Sequence, residues 1–299
     1  MPRRFLPSRD TCYALAFVSP FLLVNLAFLV VPFVRGLWIS LHDWELLGGQ
    51  AGMRPSYVGL RNYQTLLDDG LFWSSLLHTA EFVVMAVPAI TVVGLGFALA
   101  LNRPLRSFAF FRSVIFLSGA LSVSVLTLVW LMVLNPSRGL LGQVLLMAGL
   151  GPLDLLADRR FAMPALVVTT VWWSAGFPMA LFLAALQQIP RELYEAAQLD
   201  GAGNWRTFRS ITLPGIIPTV WLVVLMELIL QVQVFGQVLL MTKGGPANST
   251  KVLVQYIYET GFRDWQVGYA AAMAMVLFGI MVVASLFQFR LLRTREGLR

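Results

Sequence analysis

Residues 187–214 read QQIPRELYEAAQLDGAGNWRTFRSITLP, a charged, helix-forming insert between two long apolar runs at 162–186 and 216–241. Pro190 suits the first turn of a helix, where its missing N–H is not needed. Glu192 favours the same end, because the helix dipole is positive there. Ile189, Leu193, Ala196 and Ala197 recur at helical spacing and form one apolar face. Gly201 then supplies a left-handed cap. Asn204 is expected to cap a second short helix carrying Trp205, Phe208 and Thr212, and Pro214 to close the segment. Two short helices at a sharp turn make a compact knob. Its polar face mixes acids with bases. Physics alone leaves two readings open, a docking knob for another protein and an interfacial helix resting on headgroups.

The surrounding chain is built for lipid. Of 299 residues, 58% are hydrophobic and 12% charged, with mean hydropathy +0.74. Soluble domains carry about 25% charged residues. Six apolar runs, at 13–37, 76–101, 113–134, 162–186, 216–241 and 268–287, are long enough for a crossing, which takes about 20 helical residues. Strand-type alternation is absent, so the reading is an all-α integral membrane protein with six transmembrane helices. The first run is too long for a secretory signal and lacks a cleavage site, so it reads as a retained helix. The organisation is a tail at 1–12, a transmembrane domain at 13–289 containing the 187–214 loop, and a tail at 290–299.

Charge asymmetry sets the orientation. The two tails and the connections holding Arg103, Arg106, Arg112, Arg191, Arg206 and Arg209 carry 13 basic residues together, and the other three connections carry 8. Both termini and the 187–214 loop are therefore expected on the cytoplasmic side. The net charge of +7 is spent on orientation, and nucleic acid is not an expected partner. A lone Cys12 excludes an internal disulfide, and no Cys/His cluster points to a metal.

Polar residues inside the runs are the candidates for a solute path. Glu227, Gln231, Gln233 and Gln237 lie in or near the fifth run. A carboxylate at mid-bilayer costs about 2.5–3.5 kcal/mol, so it should face the bundle interior. Glu227 and Gln231 are four apart, as are Gln233 and Gln237, and each pair is expected to share a face. With Phe235 they would suit a sugar, hydroxyls against amides and a ring against an apolar sugar face. Helix–helix bridging explains the same residues without any solute. Trp172 and Trp173 read as packing, although one could flank a sugar ring. Pro88 and Pro178 read as helix bends. Trp44, Tyr57, Tyr63, Phe72 and Trp73 read as an outer aromatic belt. No catalytic constellation is present. His78 near Glu81 is the closest approach to one, and a helix-end hydrogen bond accounts for it.

Glu195-Ala196-Ala197, Asp200-Gly201-Ala202 and Ile211-Thr212-Leu213-Pro214 together resemble the EAA loop of binding-protein-dependent ABC importer permeases. Tyr57 to Tyr63 (YVGLRNY), Gln187 to Pro190 (QQIP) and Met241 to Pro246 (MTKGGP) resemble the sugar-transporting branch of the maltose and glycerol-3-phosphate type. The resemblance implies that the loop is a coupling helix seated on an ATPase, with Glu195, Ala196, Ala197, Asp200, Gly201, Trp205 and Phe208 as coupling residues. It implies a second related permease, an ATPase dimer, an extracytoplasmic solute-binding protein and a sugar-like solute, in a bacterial or archaeal cytoplasmic membrane. No G-x-x-x-x-G-K-[ST] loop occurs, so Mg-ATP is expected on the partner ATPase and no cofactor on this chain.

Overall fold

Small residues and Pro178 mark where two of the apolar runs bend, whereas Pro88, expected to bend its helix, lies inside an unbroken one. The computed structural model describes residues 9–45, 55–102, 106–149 and 153–296. Arg3, Arg4, Arg54, Arg103 and Arg299 of the charge tally lie outside them. In chain order the helices are α1 (Arg9–Asn25), α2 (Val31–Ser40), α3 (Arg61–Asp68), α4 (Gly70–Leu101), α5 (Arg106–Ser118), α6 (Val123–Val133), α7 (Leu140–Met147), α8 (Ala162–Ser174) and α9 (Gly176–Gln187). There follow α10 (Arg191–Leu199), α11 (Asn204–Thr207), α12 (Leu213–Val232), α13 (Gly236–Met241), α14 (Leu253–Tyr258) and α15 (Val267–Glu296). Two short strands, β1 (His42–Asp43) and β2 (Ser56–Tyr57), pair antiparallel.

Among the described residues four helical stretches are long and apolar enough to cross a membrane: Ala16–Ser40, Gly70–Leu101, Asn204–Val232 and Val267–Gln288. The third and fourth apolar runs are bent pairs instead, and counting each pair as one crossing gives up to six. The 113–134 run, expected as one span, breaks after Ser118 and resumes at Val123 with a bend of 102°. The small residues Gly119 and Ala120 and the helix-starting Ser122, which accepts a bond from the Val125 N–H, allow the turn. The 162–186 run bends by 49° at Ala175. Pro178 is the cause, because it has no N–H for the Ser174 carbonyl and its ring crowds that turn.

The chain divides into two units, Met1–Asp69 with Ile257–Phe278, and Gly70–Tyr256 with Gly279–Arg299. In the first, α1 and α2 run on through a π-turn at Leu26–Val30, and the side chains along this stretch are mostly exposed. The YVGLRNY segment closes its end. The Asn62 amide donates to the Ser40 and His42 carbonyls at 2.9 and 3.0 Å, and Tyr63 shares a 2.7 Å hydrogen bond with the Ser40 hydroxyl. The bond to Ser40 satisfies a carbonyl that the C-terminus of α2 leaves open. Tyr269 donates to Asp69 at 2.6 Å.

In the second unit α4 is central and packs on α8, α9 and α12. One cluster holds Phe82, Ile90, Leu166 and Val238, and another Ala98, Met179, Phe182 and Ile216. Lipid offers no water to expel, so these contacts hold the helices through close packing. Phe72, expected in the outer aromatic belt, is fully buried here.

A close backbone approach accompanies the bends. A Cβ at Gly176 would lie 2.5 Å from the Ile115 carbonyl oxygen, so α5 and α9 meet where each helix pair breaks. Gly176→Ala should therefore destabilise the chain by about 1–3 kcal/mol through overpacking. Gly96→Ala, where a Cβ would meet nothing within 4 Å, should be neutral or slightly stabilising. Thermal unfolding of the two variants in detergent checks the contrast.

Candidate functional site

Two regions of the second unit carry the residues singled out from sequence: the 187–214 loop and a cavity among the broken helices. In the loop, α10 begins after Pro190 and ends in a left-handed turn at Gly201, φ +69°. The Ala202 N–H donates to the Ala197 carbonyl at 2.9 Å and the Gly201 N–H to the Gln198 carbonyl at 3.1 Å. This doubly bonded cap satisfies two of the last carbonyls of α10. The second helix differs from expectation. Gly203, extended at φ −70° and ψ 164°, occupies the capping position, and Asn204 is already helical. Nor does Pro214 end the segment. The chain runs helically from Asn204 to Val232, through a π-turn at Phe208–Thr212. Pro214 has no N–H for the Ser210 carbonyl, and the wider turn accommodates it. The second half of the knob is thus the foot of the helix that carries Glu227 and Gln231.

Glu195, Ala196, Asp200 and Gly201 are exposed, Phe208 is half-buried and Ala197 is buried. Trp205 stacks on Phe208 with ring centroids 5.7 Å apart. Leu199 is 90% exposed and Trp205 72%. Large apolar groups this exposed beside charges mark a surface that meets another molecule.

The cavity has a volume of about 760 Å³, within the usual range of ligand sites. Glu227, Gln231, Gln233, Phe235 and Gln237, the residues proposed for a solute path, all line it. Gly119, Ala120 and Val123 at the break between α5 and α6 line it too, with Trp173, Ser174 and Phe177 at the bend between α8 and α9. The Gln231 amide donates to the Glu227 carboxyl at 2.9 Å, one turn away on a shared face. Gln233 and Gln237 do not share a face. α12 stops at Val232 and α13 starts at Gly236, with Phe235 at φ −150° and ψ −62°. Gln237 instead donates to the Thr170 hydroxyl at 3.0 Å, and Gln233 reaches the Met281 sulfur at 3.5 Å.

Side chains close the broken backbone around this space. The Ser118 hydroxyl lies 3.2 and 3.3 Å from the carbonyls of Trp172 and Trp173, and the Trp173 indole donates to the Leu121 carbonyl at 3.2 Å. Trp173 therefore belongs to the cavity, whereas Trp172 faces Trp130 at 6.0 Å. Sequence reading missed Phe116, Ser118, Ser174 and Phe177. The Gly119-Ala120 pair inside an apolar run was the available signal. His78 bonds the Lys251 carbonyl at 3.2 Å, a structural contact with a loop.

The second unit thus holds bent helix pairs around a mostly apolar cavity that carries a few polar side chains, with an exposed capped knob at the foot of one cavity helix. Residues 90–296 match the family described as binding-protein-dependent transport system inner membrane component, and the chain belongs to that family. It is 30% identical over 280 residues to the probable starch degradation products transport system permease protein AmyD of Thermoanaerobacterium thermosulfurigenes, covering 94% of each chain. It is 34% identical over 257 residues to the trehalose/maltose transport system permease protein MalF of Thermococcus litoralis, covering 85% of each. Its fold matches a chain of a bacterial ABC transporter involved in import of the acidic polysaccharide alginate, with TM-score 0.82, 22% identity and 96% of each chain covered.

The Glu227–Gln231 pair yields a stability test. Gln231→Leu strips a buried carboxyl of its donor and should cost about 1–3 kcal/mol. Glu227→Gln keeps a bonding partner of the same size and should cost less. Melting temperatures in one detergent would rank the two, and the reverse order would remove the pairing from the account.

Proposed function

We propose that this chain is one of two permease subunits of an ATP-driven importer for a neutral sugar. It crosses the cytoplasmic membrane six times, each bent pair counting once, with both termini in the cytoplasm. The positive-inside asymmetry supports that orientation. The knob then faces the cytoplasm and seats on a separate ATPase dimer through Glu195, Ala196, Asp200, Gly201 and Trp205, with Ala197 and Phe208 holding its shape. Relatives named for starch degradation products and for trehalose and maltose support the sugar class.

The observation that carries the reading is mechanical. Trp205 at the knob and Glu227 at the cavity stand on one helical run, Asn204–Val232, about 33 Å apart at 1.5 Å per residue. A displacement of the knob by a closing ATPase dimer would move the cavity wall directly. Alternating access then needs only two packings of the broken helices, with their balance set from outside. Glu227, Gln231, Gln233, Phe235 and Gln237 form this chain's share of the solute path. Among the described residues no Lys, Arg or His lines the cavity, which disfavours an anionic solute. Aromatic walls at Phe116, Trp173, Phe177 and Phe235 fit the apolar faces of a sugar ring. An external binding protein delivers the solute, and the partner ATPase holds Mg-ATP.

Gly201 provides the test. At φ +69° a β-branched residue is strained by at least about 1 kcal/mol. Gly201→Val should leave membrane insertion intact and lower solute uptake by the reconstituted complex about tenfold or more. Wild-type uptake by that variant would refute the coupling role.

A further inference from the structure

Resting on the coupling reading above, we infer that Tyr194 is a positioning residue: its hydroxyl, bonded to Thr212, pins the knob helix α10 to the residue that leads into α12 and carries motor displacement sideways into the cavity helix. The covalent route from α10 to α12 passes through the turn at Gly201, Ala202 and Gly203. That turn is mostly exposed, and Cβ atoms built at Gly201 and Gly203 would meet nothing within 4 Å. Its cap bonds return to α10 and do not reach α12, so it transmits a push to α12 poorly. Something else must couple α10 to α12.

α10 forms no extensive packing with another helix. Among the described residues, one side-chain hydrogen bond joins it to another element: the Tyr194 and Thr212 hydroxyls lie 3.1 Å apart. Thr212 is buried, ends the π-turn and immediately precedes α12. Its hydroxyl makes no cap bond to the helix, which leaves it available to Tyr194. A second contact lies at the base. The Ile189 Cδ1 lies 2.8 Å from where a Gly215 Cβ would stand, so the residue before Pro190 presses on the start of α12. Ile189 also packs against the cluster that contains Ile216 and Phe182. The two contacts are five residues apart on the knob side, Ile189 and Tyr194, and three apart on the α12 side, Thr212 and Gly215. Together they form a hinge plate with a polar pin and an apolar seat. On its other flank Tyr194 borders a cavity of about 670 Å³ lined by Asn102, Arg112, Gln187 and Arg191. α10 therefore has room to swing if the pin is lost.

The pin predicts a separation that a merely structural contact would not give. With the pin removed, the ATPase still binds and turns over, but less of each stroke reaches α12. The readout is solute moved per ATP hydrolysed, measured on the full complex of both permeases, the ATPase dimer and the solute-loaded binding protein in liposomes. Tyr194→Phe removes one oxygen, and Thr212→Val replaces the hydroxyl with a methyl of similar size. Each should lower the ratio about fivefold, the factor that a hydrogen bond of about 1 kcal/mol represents. The double variant should fall no further, because each change removes the same bond. Thr212→Ser keeps the hydroxyl and should keep most of the wild-type ratio.

Ratios equal to wild type in Tyr194→Phe and Thr212→Val would overturn the inference while leaving the importer assignment standing. So would equal ratios for Thr212→Val and Thr212→Ser, or a set of variants that all fail to co-purify with the ATPase, which would make the pair a folding contact. A wild-type complex whose ATP turnover ignores the loaded binding protein would instead refute the function proposed above.

Discussion

A backbone that breaks inside lipid must find partners for its own polar groups. The rest of this structure follows from that constraint. Hydrocarbon offers no water to a freed carbonyl, and each unsatisfied group costs several kcal/mol. The chain breaks three apolar runs, at 119–122, near Ala175 and at 233–235. The breaks adjoin one cavity. Ser118 and Trp173 reach from one broken pair to the carbonyls of the other. A cavity with polar groups set in mostly apolar walls thus forms where the helices end. Glutamine side chains and a carboxyl can line it because the surrounding backbone is already polar.

In the proposed mechanism the same helix ends let the space change shape. A straight span packed along its whole length resists displacement, whereas helices broken near one point can rock about it. Gly176 allows α5 and α9 to touch at the break, so the pivot is closely packed. The Asn204–Val232 run links this pivot region to the exposed knob. Pro214 would interrupt an ordinary helix. The π-turn before it keeps the run continuous, so the lever survives a residue that usually ends one.

Much of this was legible in the sequence. The six apolar runs, the helix starting after Pro190 and the left-handed Gly201 follow from hydropathy, dipole and the steric freedom of glycine. The pairing of Glu227 with Gln231 follows from helical spacing. The breaks were not legible. Gly119-Ala120 and Val234-Phe235 sit within apolar stretches whose composition allows an unbroken helix, and only tertiary contacts such as Trp173 to Leu121 decide against it. The supposed shared face of Gln233 and Gln237 failed for that reason. The separate second knob helix failed because a π-turn leaves no periodic signature over five residues. Tyr194 went unnoticed because its partner lies 18 residues on, across a turn whose geometry the sequence does not specify.

The central claim is that the knob faces inward and meets a separate motor. Placing Leu199→Cys in a Cys12→Ser background puts a single thiol at the knob's exposed tip. Labelling with a membrane-impermeant maleimide should occur in inside-out vesicles, not in right-side-out ones, and should be blocked when the ATPase dimer is bound. Labelling from the outer face, or labelling indifferent to the ATPase, would contradict the account.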